Sequence, residues 1–237
     1  MKTIILLLSA VLPAALLWLY VWWKDPQKEP TGLLVKAILY GIGIVWIAGG
    51  IEVFIKYSFW AAEDNALTLW DTTAMAFLVA AIPEECFKLL ALWLILRRNP
   101  YFDEHFDGII YAVSIGLGFA AMENIGYVMM GGDDWLRLAI SRALLSVPGH
   151  YAFAVLMGYY YSLYHFVERS TRNKVCILLV PVLAHGIYDS LAMSGMADPT
   201  VGGICAFVLI YFCIKMHKFA HKKVLAQIER DQANHMA

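Results

Sequence analysis

Long apolar runs alternate with short polar segments along the whole chain. Because a helix needs roughly 20 apolar residues to cross the hydrocarbon core of a bilayer, each long run is a candidate membrane span. The pattern predicts about seven spanning helices, at residues 3–23, 33–56, 72–96, 107–130, 136–164, 175–194 and 201–217. We therefore expect an all-α polytopic membrane protein, with one integral membrane domain over residues 1–237 that includes a basic cytoplasmic tail over residues 215–237.

The first apolar run, Ile4 to Trp23, also has to be compared with a secretory signal peptide. The apolar core of a signal peptide spans about 7–15 residues, and this run is longer and ends in the pair Trp22-Trp23. The sequence therefore predicts a retained transmembrane helix at this position.

The charges of the loops predict the orientation of the chain, since cytoplasmic loops are enriched in lysine and arginine. Alternate loops are basic, with Lys24, Lys28, Arg97, Arg98, Arg169, Arg172 and Lys174, and the C-terminal tail is basic as well. The loops between them are acidic, with Glu63, Asp64, Asp133, Asp134 and Asp198. We expect the N-terminus outside and the C-terminus in the cytoplasm.

The composition agrees with this architecture. The chain is 61% hydrophobic and 16% charged, whereas soluble domains are about 25% charged. The formal net charge is −1 and the sequence has no basic patch with interleaved aromatic residues, so no nucleic-acid partner is expected. The four cysteines form no CxxC pair and lie in apolar stretches, where they are expected to serve as small packing residues.

The third apolar run, residues 72–96, carries charged residues at its centre. Glu84, Glu85 and Lys88 lie where the helix would cross the middle of the bilayer. Ionisable groups at this depth cost several kcal/mol unless they are paired or hydrated, so they mark a functional site by default.

The next three predicted helices also carry polar residues near mid-membrane. These are Glu123 and Asn124 in the fourth helix, His150 in the fifth, and His185 with Asp189 one turn later in the sixth. We expect all of them to meet in one cavity in the outer half of the membrane, formed by helices within residues 72–194. Two carboxylate-bearing and two histidine-bearing helices are a plausible ligand set for a divalent metal.

Helix-breaking prolines accompany these polar residues. Pro83 precedes Glu84, Pro148 lies two residues before His150, and Pro181 lies four before His185. Proline removes a backbone hydrogen bond and tends to kink a helix, and irregular backbone in a membrane is tolerated only where it is buried in protein or lines water. We expect these breaks to open the bilayer centre to water.

Structural explanations stay open for single residues. Glu84 and Lys88 are four apart and can form an ion pair along the helix, and His150 can be a hydrogen-bonded core histidine. Glu123 with Asn124 can join two helices by hydrogen bonds.

Arg142 can steer a substrate carbonyl, balance the negative charge of the cavity, or reach to the membrane interface. In the second helix, Glu52 and Lys56 are expected to form an interfacial ion pair.

In order along the chain, these residues resemble the four motifs of the PrsW family of intramembrane proteases. The EExxK motif stands as Glu84-Glu85-Cys86-Phe87-Lys88, and FDG at residues 106–108 is followed by GLGFAAMEN, which ends in Glu123-Asn124. The third block is similar to Arg142 through His150, and HxxxD is His185 to Asp189. The resemblance spans roughly residues 80–190 and leaves out the first and last helices.

The resemblance implies a metal-dependent endopeptidase of the bacterial cytoplasmic membrane. It also implies a single-pass membrane substrate of the anti-sigma-factor kind, cut in a first, site-1 cleavage. Type II CAAX prenyl endopeptidases and Abi proteins are related, but their patterns EExxxR and FxxxH differ here at Lys88 and Glu123. The non-catalytic Aph subunit of γ-secretase lacks the paired glutamates that this chain keeps.

The working mechanism has His150 and His185 holding a divalent metal, with Zn²⁺ expected, and Glu123 or Asp189 as a third ligand. Glu84 or Glu85 takes a proton from water, supported by Lys88, and Asn124 belongs to the catalytic set. A non-catalytic membrane scaffold and a proton- or ion-coupled transporter are the alternative functions, since intramembrane acids and histidines also mark ion paths. The sequence leaves the oligomeric state open.

Overall fold

A computed structural model describes residues 2–60 and 67–236 of the chain, so Glu63 and Asp64 of the predicted outer loop lie outside the described residues. Across the described parts the chain forms seven long helical segments and no strand. They are α1 (Lys2–Lys24), α2 (Thr31–Trp60), α3 (Leu69–Ala74, then Met75–Ala81, then Ile82–Leu96), α4 (Asp107–Met130), α5 (Trp135–Ser141, then Arg142–Ser146, then Val147–Ser162, then Leu163–Val167), α6 (Thr171–Met193) and α7 (Pro199–Met236). Short 3₁₀ turns, Gly132–Asp134 and Ser194–Met196, precede α5 and follow α6.

The prediction of an all-α polytopic membrane protein is confirmed. Within the described residues, six helices are long and apolar enough to cross a membrane, namely α1, α2, α4, α5, α6 and α7. The remaining helix, α3, is also long but carries Glu84, Glu85 and Lys88. Most predicted bounds agree with the structure to within a few residues, but α7 continues well past the expected end of its span at residue 217.

Of the three prolines that precede the polar residues of the predicted site, Pro83 and Pro148 each follow a π-helical turn. The backbone N–H of Ile82 donates to the carbonyl of Phe77, and that of Val147 donates to Arg142, both five residues back. Proline cannot donate the next hydrogen bond, and the wider turn accommodates it at the start of the following α-helical segment. The expected break at Pro181 does not interrupt the helical hydrogen bonding, because α6 is one α-helix over Thr171–Met193.

We call the end of the bundle that carries the α2–α3, α4–α5 and α6–α7 connections the outer end, following the orientation predicted from the loop charges, and the opposite end the inner end. Helices α2, α4 and α5 pack very closely in the inner half. A Cβ atom built on Gly158 of α5 would collide with the carbonyl oxygen of Gly108 on α4. A Cβ built on Gly41 of α2 would collide with the carbonyl oxygen of Ile115 on α4. Only glycine permits this backbone contact between helices.

The C-terminal tail is part of this packing. The sequence predicts a basic cytoplasmic tail over residues 215–237, and this segment is the continuous inner extension of α7. Asp231 accepts hydrogen bonds from the backbone N–H groups of His105 (2.7 Å) and Phe106 (2.9 Å), and its carboxylate lies 2.7 Å from the imidazole Nδ1 of His105. The tail thereby closes the loop that leads into α4.

Candidate active site

A cavity of about 610 Å³ lies in the outer half of the bundle. Helices α2 to α7 all contribute to its wall, mostly from the half of each helix nearer the outer end, and Glu84 and Phe153 lie near the midpoints of α3 and α5. Its polar lining residues include Glu52, Lys56, Glu84, Glu123, Tyr127, Arg142, His150, His185 and Asp189. The predicted polar cavity therefore exists, and it is enclosed by more helices than the four that carry the motifs.

The EExxK motif forms one tight ionic group on α3. Lys88 Nζ lies 2.9 Å from Glu84 Oε2 and 2.8 Å from Glu85 Oε1, and it stands 4.1 Å from the centroid of the Phe119 ring. Glu84 faces the cavity, whereas Glu85 is completely buried behind it, and its Oε2 has no hydrogen-bond partner among the described residues. Glu84 and Lys88 do form the ion pair that their spacing allows, and this ion pair lies in the cavity wall. The interpretation as a helix ion pair and the interpretation as part of a functional site are therefore compatible.

The two histidines connect this group to the other helices. His150 Nδ1 lies 3.3 Å from Lys88 Nζ, and its Nε2 lies 2.9 Å from Glu123 Oε2. His185 Nδ1 lies 2.9 Å from Glu85 Oε1, and its Nε2 lies 3.2 Å from Asp189 Oδ2. Each imidazole is thus held by polar groups on both sides. A metal would take the place of one of these contacts on each ring, and the remaining contact would orient the ring.

The aromatic ring of Phe153 supports this arrangement. It lies parallel to the ring of His185, with the centroids 4.7 Å apart and an angle of 17° between the planes. It also meets the edge of His150 at 5.9 Å. Because both imidazole rings pack against Phe153, their planes are held by packing as well as by hydrogen bonds.

Arg142 balances the negative charge on the α4 side of the cavity. Its Nη2 lies 2.8 Å from Glu123 Oε2, its Nε donates to Asn124 Oδ1 at 2.5 Å, and its guanidinium stands 4.0 Å from the Tyr127 ring centroid. Asn124 is buried and donates in turn to the backbone carbonyl of Ala10 in α1 at 3.2 Å. Asn124 therefore holds Arg142 in place and does not line the cavity.

Three of these residues are placed to hold a metal ion. One ligand atom each from Glu84, His150 and His185 lies within 4.8 Å of the others, and all three residues are buried. A carboxylate with two imidazoles is a donor set that binds Zn²⁺ and related divalent metals, so the residues fit the group. Glu84 joins the histidines in this group, whereas Glu123 and Asp189 each bond one imidazole.

Sequence reasoning missed two groups on α2. Glu52 and Lys56 both line the cavity, yet among the described residues no side-chain N···O contact within 4.0 Å joins them. The expectation of an interfacial ion pair is therefore wrong, because both side chains turn toward the cavity. The i,i+4 spacing of Glu52 and Lys56 indicated a shared helix face but not what that face meets.

Together these groups can perform proton transfer and charge stabilisation inside a membrane. The cavity presents carboxylates that can accept a proton, imidazoles that can hold a metal, and a guanidinium that can donate to a developing oxyanion. Metal-assisted hydrolysis uses all three functions together with access for water, and the residues that line this cavity can provide them.

Comparison with known proteins gives a consistent result. The family model of the PrsW family intramembrane metalloprotease matches residues 29–216. The chain is 35% identical over 191 residues to Protease PrsW of Geobacillus kaustophilus, covering 80% of both proteins. It is 32% identical to Protease PrsW of Clostridioides difficile over 194 residues, with 79% of each covered, and 32% identical to that of Bacillus subtilis over 184 residues, with 76% of this chain and 79% of the relative covered.

No solved structure matches the chain. The named relatives are proteases, so the chain is an enzyme, and the scaffold and transporter alternatives are not supported. With its six apolar spans, it is a multi-pass protein of the cell membrane. The chain belongs to the PrsW family of intramembrane metalloproteases.

Proposed function

We propose that this protease hydrolyses a peptide bond of a single-pass membrane protein in the outer-half cavity, with a divalent metal held by Glu84, His150 and His185. The observation that carries the proposal is the convergence of these three buried side chains, from α3, α5 and α6, at the wall of one cavity. Zn²⁺ is the metal we expect, since two imidazoles and a carboxylate are among its known catalytic ligand sets. When bound, such a metal polarises a carbonyl and makes water easier to deprotonate.

Glu123 is the group that we assign to proton transfer. Its Oε2 already contacts His150 and Arg142, whereas no hydrogen bond among the described residues involves its Oε1, which leaves this oxygen to accept a proton from water in the cavity. Glu123 can then return the proton to the amine that leaves. This assignment differs from the sequence-based hypothesis, which gave proton transfer to Glu84 or Glu85.

Arg142 lies beside Glu123 and is the group that we assign to the oxyanion. Its guanidinium lines the cavity and is held by Asn124, so it can donate to a carbonyl oxygen as negative charge develops there. Pre-positioned donors are effective because they need no reorganisation during the reaction.

Glu85, Lys88 and Asp189 are positioning residues in this scheme. Glu85 accepts from His185 Nδ1, which leaves Nε2 to face the cavity and Asp189. Lys88 keeps Glu84 and Glu85 at a fixed separation and balances one of their two charges. Neutralising one charge lowers the cost of placing two adjacent carboxylates in the membrane.

The location of the cavity supports the expected substrate class. A cavity in the outer half of the bundle suits a protein whose single membrane span ends in that half of the membrane. Together with the predicted orientation, this supports cleavage near the extracytoplasmic end of the substrate, in agreement with an anti-sigma-factor-like protein and a site-1 cleavage.

Comparison of released fragments tests the proteolytic activity. We would co-express the protein with a pool of tagged single-pass membrane proteins and compare wild type, Glu84→Gln and Cys86→Ser. Cys86 is exposed on the same helix two residues from Glu84, so it is a matched control. We expect one or more fragments with wild type and Cys86→Ser and none with Glu84→Gln; a fragment pattern that is the same in all three would contradict the proposal.

The metal content of the purified protein tests the ligand assignment separately. We expect one divalent metal ion per wild-type chain and strongly reduced metal in a His150→Ala, His185→Ala double variant. Equal metal in both proteins, with full activity in chelator, would overturn the metal site and leave the proteolytic activity standing.

A further inference from the structure

Helices α5 and α7 are in close contact in the inner half of the bundle. The rings of Tyr151 on α5 and His217 on α7 are nearly parallel, with the centroids 6.3 Å apart. Further inward, Lys223 Nζ stands 4.3 Å from the Tyr159 ring centroid, and Gln227 donates to the Tyr159 carbonyl at 3.4 Å. These contacts fix the two helices together from the level of His150 to the inner end.

The same two helices have different neighbours in the outer half. The outer part of α5, Trp135–Ser146, packs against α1 and α4. The outer part of α7 packs against α6 and the turn Ser194–Met196, so closely that a Cβ on Gly202 would collide with the Cα of Gly195. The outer parts of α5 and α7 thus have different main neighbours, and residues of both helices line the cavity, which forms a cleft between them.

This α5–α7 cleft is lined by Leu145 of α5, Ala206 and Leu209 of α7, and Met193 and Met196 at the end of α6. All five side chains are apolar, and they line the same cavity as Glu84 and the two histidines. A polar segment that entered the cleft from water would lose hydrogen bonds, because the apolar walls offer no donors or acceptors. An apolar membrane span that moved from lipid into the cleft would lose none.

The residues next to the cleft show that it lies at the lipid-facing surface. Leu144 is 69% exposed and Phe207 is 79% exposed, and neither lines the cavity although each is adjacent in sequence to a residue that does. The rim of the cleft is therefore exposed on the lipid-facing side of the bundle, and the apolar residues of the cleft line the same cavity as the catalytic residues.

We propose that the α5–α7 cleft is the entrance through which the membrane-spanning segment of the substrate reaches Glu84, His150 and His185. The occupant is an apolar span whose outer end extends into the cavity, and this rests on the proposed proteolytic function. Two methionines at the entrance give it a deformable surface, since unbranched thioether side chains adapt to different shapes. We therefore expect the entrance to accept spans of varied sequence.

Site-specific photocrosslinking tests this entrance. We would place benzoylphenylalanine at Leu145 or Ala206, and at the neighbouring control positions Leu144 or Phe207, in the Glu84→Gln background. The probe is the same pool of tagged single-pass proteins, so capture is measured without cleavage. We expect capture from 145 and 206 to exceed capture from 144 and 207 by about tenfold or more, which corresponds to about 1.4 kcal/mol in occupancy.

Each outcome has a distinct meaning. Equal capture at all four positions, or lipid adducts alone at 145 and 206, would overturn the entrance even if wild type releases fragments. Selective capture at 145 and 206 without any fragment from wild type would support the entrance and contradict the proposed function.

Tryptophan substitutions provide a second measurement that does not depend on the crosslinker. Ala206→Trp and Leu145→Trp narrow the cleft, and we expect each to reduce fragment release by about tenfold or more, because misplacing a substrate is costly in rate. Phe207→Trp and Leu144→Trp keep a large side chain in lipid and serve as controls. Unchanged release by both cleft variants would count against the entrance.

Discussion

The inner half of the bundle is closely packed, whereas the outer half encloses an open polar cavity. In the inner half, α4 and α5 meet backbone to backbone at Gly108 and Gly158, and the tail of α7 packs over the loop before α4. In the outer half the helices surround a polar cavity, and the π turns of α3 and α5 contribute residues to its lining.

The difference shows where the stability of this protein comes from. Carboxylates and imidazoles inside a membrane cost several kcal/mol and add little to helix association unless they are well paired. Close packing of small residues is the main attraction between helices in lipid. We infer that the inner half stabilises the fold and thereby allows the outer half to keep an open, charged site.

Glu123→Gln is the change with the largest expected effect, and it concerns the outer half alone. Loss of the proton acceptor should lower the rate of fragment release between about 10² and 10⁴-fold. The purified variant should keep its size-exclusion profile and helix content, because glutamine preserves the side-chain volume. Near wild-type release would assign proton transfer to another carboxylate, with Asp189→Asn as the next variant to measure.

Glu85→Gln should have a smaller effect through the metal. Glu85 touches His185 and Lys88 and does not line the cavity. Loss of such an orienting carboxylate typically weakens metal affinity by about 10–100-fold. We expect activity to return in part when metal is added in excess, which a metal titration would show. Complete inactivity at saturating metal would indicate a direct chemical role.

Gly158→Ala tests the inner half. The added methyl would meet the Gly108 carbonyl, and overpacking of this kind costs about 1–3 kcal/mol. Gly126→Ala is the control, because nothing lies within 4 Å of its added Cβ. Thermal unfolding in detergent should show a lower Tm for Gly158→Ala and an equal or higher Tm for Gly126→Ala. Equal Tm values for both variants would mean that the inner contact does not stabilise the bundle.

Asp25→Asn should give the smallest effect, and it should depend on pH. Burial raises the pKa of the Asp25 carboxyl from 3.8 to about 7, although nearby Lys28 opposes the shift. Within residues 2–60 and 67–236, neither carboxyl oxygen has a hydrogen-bond partner. An acid with a raised folded-state pKa destabilises the fold increasingly as pH rises from its unfolded pKa to its folded pKa.

The asparagine variant should therefore have a Tm about 2–4 °C above wild type at about pH 8 and no advantage at about pH 4. Asp133→Asn, at an exposed position of the outer end, is the control and should show no such dependence. A pH-independent difference for Asp25→Asn would show that the carboxyl is not the cause.

The sequence predicted the helices and the members of the site because charged residues in apolar runs are conspicuous. Glu84, Glu123, His150 and His185 each lie in such a run, and they do converge. Their pairing was not predictable, since the helix rotation that brings Glu84 beside the histidines depends on hydrogen bonding in the π turn.

Two other features were hidden for different reasons. Glu52 and Lys56 have the spacing of an ion pair, and only the arrangement of six helices shows that both face the cavity. In the tail, the many lysines suggest a solvated helix, and nothing local to Asp231 indicates that it binds the loop at His105.

The π turn at Met75–Ala81 has a consequence for how this protein can evolve. An extra residue in a helical turn rotates everything after it by about 100° relative to what came before. The direction in which Glu84 and Lys88 project therefore depends on the number of residues in the turn. It depends much less on the identity of those residues. The length of the chain in this turn is a functional parameter in its own right, one that substitutions leave intact and that an insertion or a deletion does not.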